Sequence, residues 1–202
     1  MEKTIMVASS INKKIQQKKS PKKVLAASTL AGLLAACNND NDSASVITPV
    51  VTTTNLSGAV VKGPLSGALV YADSDGDGIG DGSPITTGAD GSYTISATNA
   101  NATIIAMSGP NTVDTSSGEP LTGLTLKAPA GSTVVTPATT ILEAQPNIEP
   151  AQLAIALGIP TTAADGSAID IMSFNPYAAG ADPAAALASE KAAQQVMVTI
   201  KA

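Results

Sequence analysis

Between Leu56 and Ser96 the chain changes direction every few residues, and that rhythm limits its possible folds more than any other feature. Apolar positions alternate at Leu56 and Val60 and again at Leu69 and Tyr71, as in strands with one buried face. Lys62-Gly63-Pro64-Leu65-Ser66-Gly67 supplies the turn between them. Further strands are predicted at 84–87 and 92–96, joined by Gly88-Ala89-Asp90-Gly91, and at 103–107, with weaker ones at 124–126 and 133–135. Short strands at hairpin spacing argue for a small antiparallel β-sandwich over residues 56–136.

The pattern changes after Thr136. Thr136 followed by Pro137 reads as an N-cap and first helical residue. A second short helix is predicted from Glu149 to Leu157, closed by Gly158. A third opens at Asp182-Pro183 and runs through Val198, its apolar face expected on Ala186, Leu187, Ala193, Val196 and Met197. The predicted class is therefore α+β, a β-sandwich followed by a short helical region over 137–202. Because the last helix reaches Lys201-Ala202 without a cap or polar tail, the natural chain is expected to continue.

Two stretches carry a resemblance. Ser57-Gly58-Ala59-Val60-Val61, Gly63-Pro64-Leu65-Ser66-Gly67-Ala68-Leu69-Val70-Tyr71 and Ala89-Asp90-Gly91-Ser92-Tyr93-Thr94 are together similar to the strands and hairpin of carboxypeptidase-regulatory-like and Cna-B-type modules. That resemblance covers about forty residues and implies a transthyretin- or immunoglobulin-like sandwich of the kind found in bacterial surface proteins. The block Leu126-Lys127-Ala128-Pro129-Ala130-Gly131-Ser132-Thr133-Val134-Val135-Thr136-Pro137, followed by Phe174-Asn175-Pro176 and an alanine-rich helix, resembles a segment of large surface proteins with calcium-dependent repeats.

The loop Asp73-Ser74-Asp75-Gly76-Asp77-Gly78-Ile79-Gly80-Asp81 places carboxylates at positions 1, 3, 5 and 9 with glycine at 6. A hard cation takes six to eight oxygens, and the glycine permits the turn that wraps them around it. The candidate ligands are Asp73, Asp75, Asp77, Asp81 and the backbone carbonyl of Ile79. At position 12, where a calcium loop of this type carries a bidentate glutamate, Pro84 stands instead. The missing oxygens would fall to Asp90, another loop or water. Affinity for calcium is thus expected near ~10⁻⁴–10⁻³ M, the range of extracellular modules.

The amino terminus has a different character. Lys13 to Lys23 is a basic run, and Val24 to Ala36 is uncharged, small and apolar. Thirteen residues are too few to cross a bilayer, which takes about 20, but they match the apolar region of an export signal. Leu34-Ala35-Ala36-Cys37 resembles the lipobox of bacterial lipoproteins. The resemblance implies cleavage between Ala36 and Cys37, and a diacylglycerol (with a further acyl chain, typically palmitate) on Cys37. Asn38, rather than aspartate, follows the cysteine, which favours the outer membrane or cell surface over the inner membrane. Residues 37–55, rich in Asn, Asp, Ser and Thr, read as a tether.

Composition then narrows the chemistry. Seven of eleven lysines precede residue 24, so from Cys37 onward four lysines face fifteen acids, a net charge of 4 − 15 = −11. Such a surface repels phosphate backbones and excludes nucleic acid as a natural partner. There is no histidine, which removes the usual general base and the commonest transition-metal ligand. The single cysteine is assigned to lipid. The expectation is a non-enzymatic, membrane-anchored structural or adhesion module, with a protein or carbohydrate surface ligand as the expected partner. An envelope hydrolase using carboxylates such as Glu119, Glu143 or Glu149, and a structural lipoprotein that binds no calcium, are the alternatives.

Overall fold

A computed structural model describes residues 52–201. The predicted signal segment, Cys37 and the predicted tether as far as residue 51 lie outside the described residues.

The described residues form ten strands and three helices, a mixed α+β arrangement with mostly antiparallel sheets. Strands β1 (Thr54–Val60) and β5 (Ser92–Ala97) pair antiparallel from Thr54↔Ala97 to Ala59↔Ser92. On its other side β1 takes β10 (Val134–Val135) in parallel. The second sheet runs in the order β4 (Asp81–Thr86), β3 (Leu69–Asp73), β6 (Thr103–Met107), β9 (Thr125–Ala128). A small third sheet joins β2 (Leu65–Ser66), β7 (Val113–Asp114) and β8 (Glu119–Pro120).

Strict alternation explains β5: Tyr93, Ile95 and Ala97 are buried, while Ser92, Thr94 and Ser96 are exposed. The exposed side is tied to β1 by paired hydroxyl and amide groups, Ser57 with Thr94 at 2.9 Å and Ser96 with Asn55 at 2.8 Å. The buried side joins Val60, Val70, Ile104, Leu126 and Val135 in one apolar core fed by both larger sheets.

Helix α1 (Pro137–Ala144) starts as its sequence suggests. The Thr136 hydroxyl accepts from the Thr139 N–H, and the Thr139 hydroxyl is returned to the Thr136 N–H, a reciprocal cap. Helix α2 (Pro150–Ala156) begins at Glu149 without a side-chain cap. Helix α3 (Pro183–Lys201) is capped by Asp182, whose Oδ1 accepts from the Ala185 N–H at 2.9 Å. The helices share a second apolar cluster built on Leu142, Leu153, Ile159, Ile171 and Ala192.

One expectation is corrected here. The face that α3 buries contains Ala185, Ala192, Ala193 and Met197, whereas Leu187 is 52% exposed. Alanine is apolar on every face of this helix, so composition cannot mark the stripe. The small residues allow the close approach that decides it. Among the described residues no helix is long and apolar enough to cross a membrane.

Candidate metal centre

The loop between β3 and β4 folds on its own carboxylates. Asp73, at the end of β3, is buried, and its two oxygens accept from the N–H groups of Gly76 (2.7 Å) and Gly78 (2.9 Å). Asp75 accepts from the Asp77 N–H at 3.1 Å, and Asp77 from the Ile79 N–H at 2.8 Å. These are Asx turns, in which a short acid supplies the acceptor that the turning backbone lacks. Gly76 and Gly78 have φ of 77° and 87°, a left-handed conformation that costs glycine little and other residues more. Spacing and backbone therefore act together.

The structure brings three of the five predicted ligands together. One carboxylate oxygen from each of Asp73, Asp75 and Asp77 lies within 4.8 Å of the others, so this cluster could hold a metal ion. Three like charges at that separation repel by roughly 1 kcal/mol per pair in water, and by more as water is excluded. A bound cation would reverse that sign.

The remaining candidates are placed differently. Asp81 begins β4 and its Oδ2 accepts from the Ser74 N–H at 2.7 Å, which closes the loop's two ends on each other. Ile79 projects its side chain outward, 69% exposed. Asp90 belongs to the next hairpin, where hydrogen bonds from Ser92 hold its carboxyl below the usual range. The loop also lies against the sheet: a Cβ on Gly80 would strike the Tyr71 side chain, and the Lys127 ammonium donates to the Gly78 carbonyl at 3.1 Å. A protein cation thus already touches this loop.

A second polar cluster escaped the sequence reading. Lys62, just after β1, donates to Asp114 Oδ2 at 2.8 Å, and the Ser116 hydroxyl donates to Asp114 Oδ1 at 2.6 Å. Burial pushes the Asp114 carboxyl up, but the hydrogen bonds and charge of Lys62 and the bonds from Ser116 outweigh it and hold the group low. Tyr177 stands beside the same cluster, its hydroxyl raised chiefly by burial. No local motif marks these residues, because Lys62 and Asp114 are 52 positions apart. Comparison with protein-family models, curated proteins and solved structures finds no match to this chain.

Proposed function

We propose that this is a lipid-anchored protein of the bacterial cell envelope, whose β-rich part is a transthyretin-like sandwich stabilised by weakly bound calcium. Its role in this reading is structural or adhesive, at the outer membrane or cell surface. The observation that carries the metal half is the convergence of the Asp73, Asp75 and Asp77 carboxylates. The anchor half rests on Leu34-Ala35-Ala36-Cys37 behind a basic, then apolar, leader. The sandwich reading is supported by the single core that the two larger sheets share.

Asp73, Asp75 and Asp77 would supply the first three oxygens, with Asp81, the Ile79 carbonyl and water completing the shell. The ion would neutralise the loop and fix the β3–β4 connection, and it has no chemical step to perform. Calorimetric titration of the full chain tests this, with saturable calcium uptake near ~10⁻³ M or tighter expected. No heat at 10-fold higher calcium, on the order of 10⁻² M, rejects it. The anchor is tested separately by mass spectrometry of membrane fractions, where Cys37→Ser should leave the chain without acyl mass.

A second reading is favoured by the Lys127 contact. An ammonium already seated on the Gly78 carbonyl offers the loop a counter-charge from within the fold. In that case the protein is a structural lipoprotein whose loop needs no calcium.

A further inference from the structure

The two larger sheets treat their edges unequally. On the helical side each edge is covered: the Thr139 and Thr140 hydroxyls of α1 donate to the Lys127 carbonyl of β9, and the Lys127 N–H donates to Thr140. Next to β10, the N–H groups of Thr133 and Val134 donate to the Met172 carbonyl. On the far side β4 and β5 are both edge strands. Strand β4 is protected by Pro84 and by a register break in its pairing with β3. Strand β5, Ser-Tyr-Thr-Ile-Ser-Ala, has neither proline nor charge.

Hydrogen-bond parity identifies what β5 leaves open. Val60 donates to the Gly91 carbonyl, so with the observed register Tyr93, Ile95 and Ala97 turn their backbone groups toward β1. The groups of Ser92, Thr94 and Ser96 then face outward. Those of Ser92 are taken up locally, its N–H by Asp90 and its carbonyl by the Gly88 N–H. The N–H and C=O of Thr94 and Ser96 have no backbone or side-chain partner among the described residues. Ser96 borders a cleft of about 530 Å³ between the two edge strands, whose opposite wall includes Asp75 and Asp81, and Thr94 is the next outward-facing position along β5. Neither acid has a basic partner, because the ion pair among the described residues is Lys62–Asp114.

We infer that this cleft is a docking site for an extended, basic peptide segment of a partner protein, added as a strand along β5. Backbone groups of Thr94 and Ser96 supply the pairing, and Asp75 and Asp81 select lysine or arginine on the incoming strand. The inference gives a partner class to the adhesive role proposed above and rests on that role; because bound calcium would occupy Asp75 and Asp81, it describes the calcium-free loop. Calcium titration of the same preparation reports on the metal alone, so the two can fail separately.

The test is fluorescence polarisation with the full chain in chelator. The probe is a labelled octapeptide, Lys-Val-Thr-Val-Lys-Val-Thr-Lys, beside a version with every lysine replaced by glutamate. The basic peptide should bind saturably with Kd near ~10⁻³ M or tighter, with slowed amide exchange at Thr94 and Ser96. Methylating the peptide's pairing nitrogens should weaken it at least ~10-fold, and Asp81→Asn should weaken it about 2–5-fold. Because the methylated peptide leaves the protein untouched, the result does not depend on a variant folding. Equal binding of the glutamate peptide, indifference to methylation, or no saturable binding would overturn the inference. So would sedimentation showing that β5 pairs with a second copy that the peptide does not displace.

Discussion

The 73–81 loop and the Lys62–Asp114 pair are the two places where this acidic chain concentrates carboxylate chemistry, and they solve the problem of charge in opposite ways. Asp114 is buried and meets the ammonium of Lys62, 52 positions away, and the hydroxyl of neighbouring Ser116. The loop gathers three carboxylates and answers them with its own backbone N–H groups, while Asp75 and Asp77 stay exposed. A buried acid that brings its partner is a fastening of the fold. An exposed cluster whose partner is not fully supplied remains open to a cation from outside.

The largest effect expected from that contrast is on stability. Asp114→Ala leaves Lys62 beside a buried, unanswered site and should cost about 3 kcal/mol in urea unfolding. Asp75→Ala, in an exposed turn, should change stability by less than ~0.5 kcal/mol without metal. Replacing Lys62 and Asp114 together by methionine and leucine should recover much of the loss, since neither charge is then stranded. Equal losses from Asp75→Ala and Asp114→Ala would break the comparison.

Calcium provides the next effect. If the loop binds calcium with Kd near ~10⁻³ M, raising calcium to ~10 Kd should stabilise the fold by roughly 1.4 kcal/mol through linkage. Thermal melts with calcium and with chelator measure this directly. Asp77→Asn should reduce the shift, whereas Asp114→Asn should leave the calcium increment itself unchanged.

These two regions also differ in how far they can be read from sequence. The loop is legible because all its candidate ligands lie within nine consecutive residues, and Asx turns and left-handed glycines are local chemistry. The Lys62–Asp114 pair has no such locality. The same division runs through the fold. Strand β5 announces itself because Tyr93, Ile95 and Ala97 alternate with Ser92, Thr94 and Ser96. The two-residue strands β2, β7 and β8 are too short to carry any period, and the sequence reading places no strand at β7 or β8. Strand β4 starts at Asp81, three residues before the predicted position, because polar residues can pair on an exposed edge without apolar alternation. The exposed Leu187 shows the same limit in a helix rich in alanine.

A pH titration sharpens the comparison further. The folded Asp114 carboxyl is held below its unfolded value, so its contribution is fully present above about pH 4–5 and is lost as the pH falls through the folded pKa. Asp114→Asn should flatten that acid limb in melts between pH 6 and ~2.5. Tyr93 acts at the other end: burial pushes its hydroxyl up to about 12. Stability from keeping it neutral is present below about pH 10 and falls as the pH rises from there toward 12. Tyr93→Phe should remove the alkaline slope and leave the acid one. An acid limb unchanged in Asp114→Asn would mean that the pair does not fasten the fold as described.

The smallest effect concerns Lys127, the one cation among the described residues that touches the loop. Its ammonium–carbonyl bond is exposed, so Lys127→Met should cost no more than ~0.5–1 kcal/mol in chelator. Its effect on calcium is the informative part. If Lys127 serves as the loop's counter-charge, removing it should tighten calcium binding, by about 2–5-fold for one exposed positive charge. If it only steadies the Gly78 carbonyl, the looser loop should bind calcium more weakly. Lys127→Gln separates charge from length, since its amide can donate to the same carbonyl without the charge. Tighter binding in both variants would show that the loop, like Asp114, has a protein cation that matters. It would then stand closer to the buried pair than its exposure suggests.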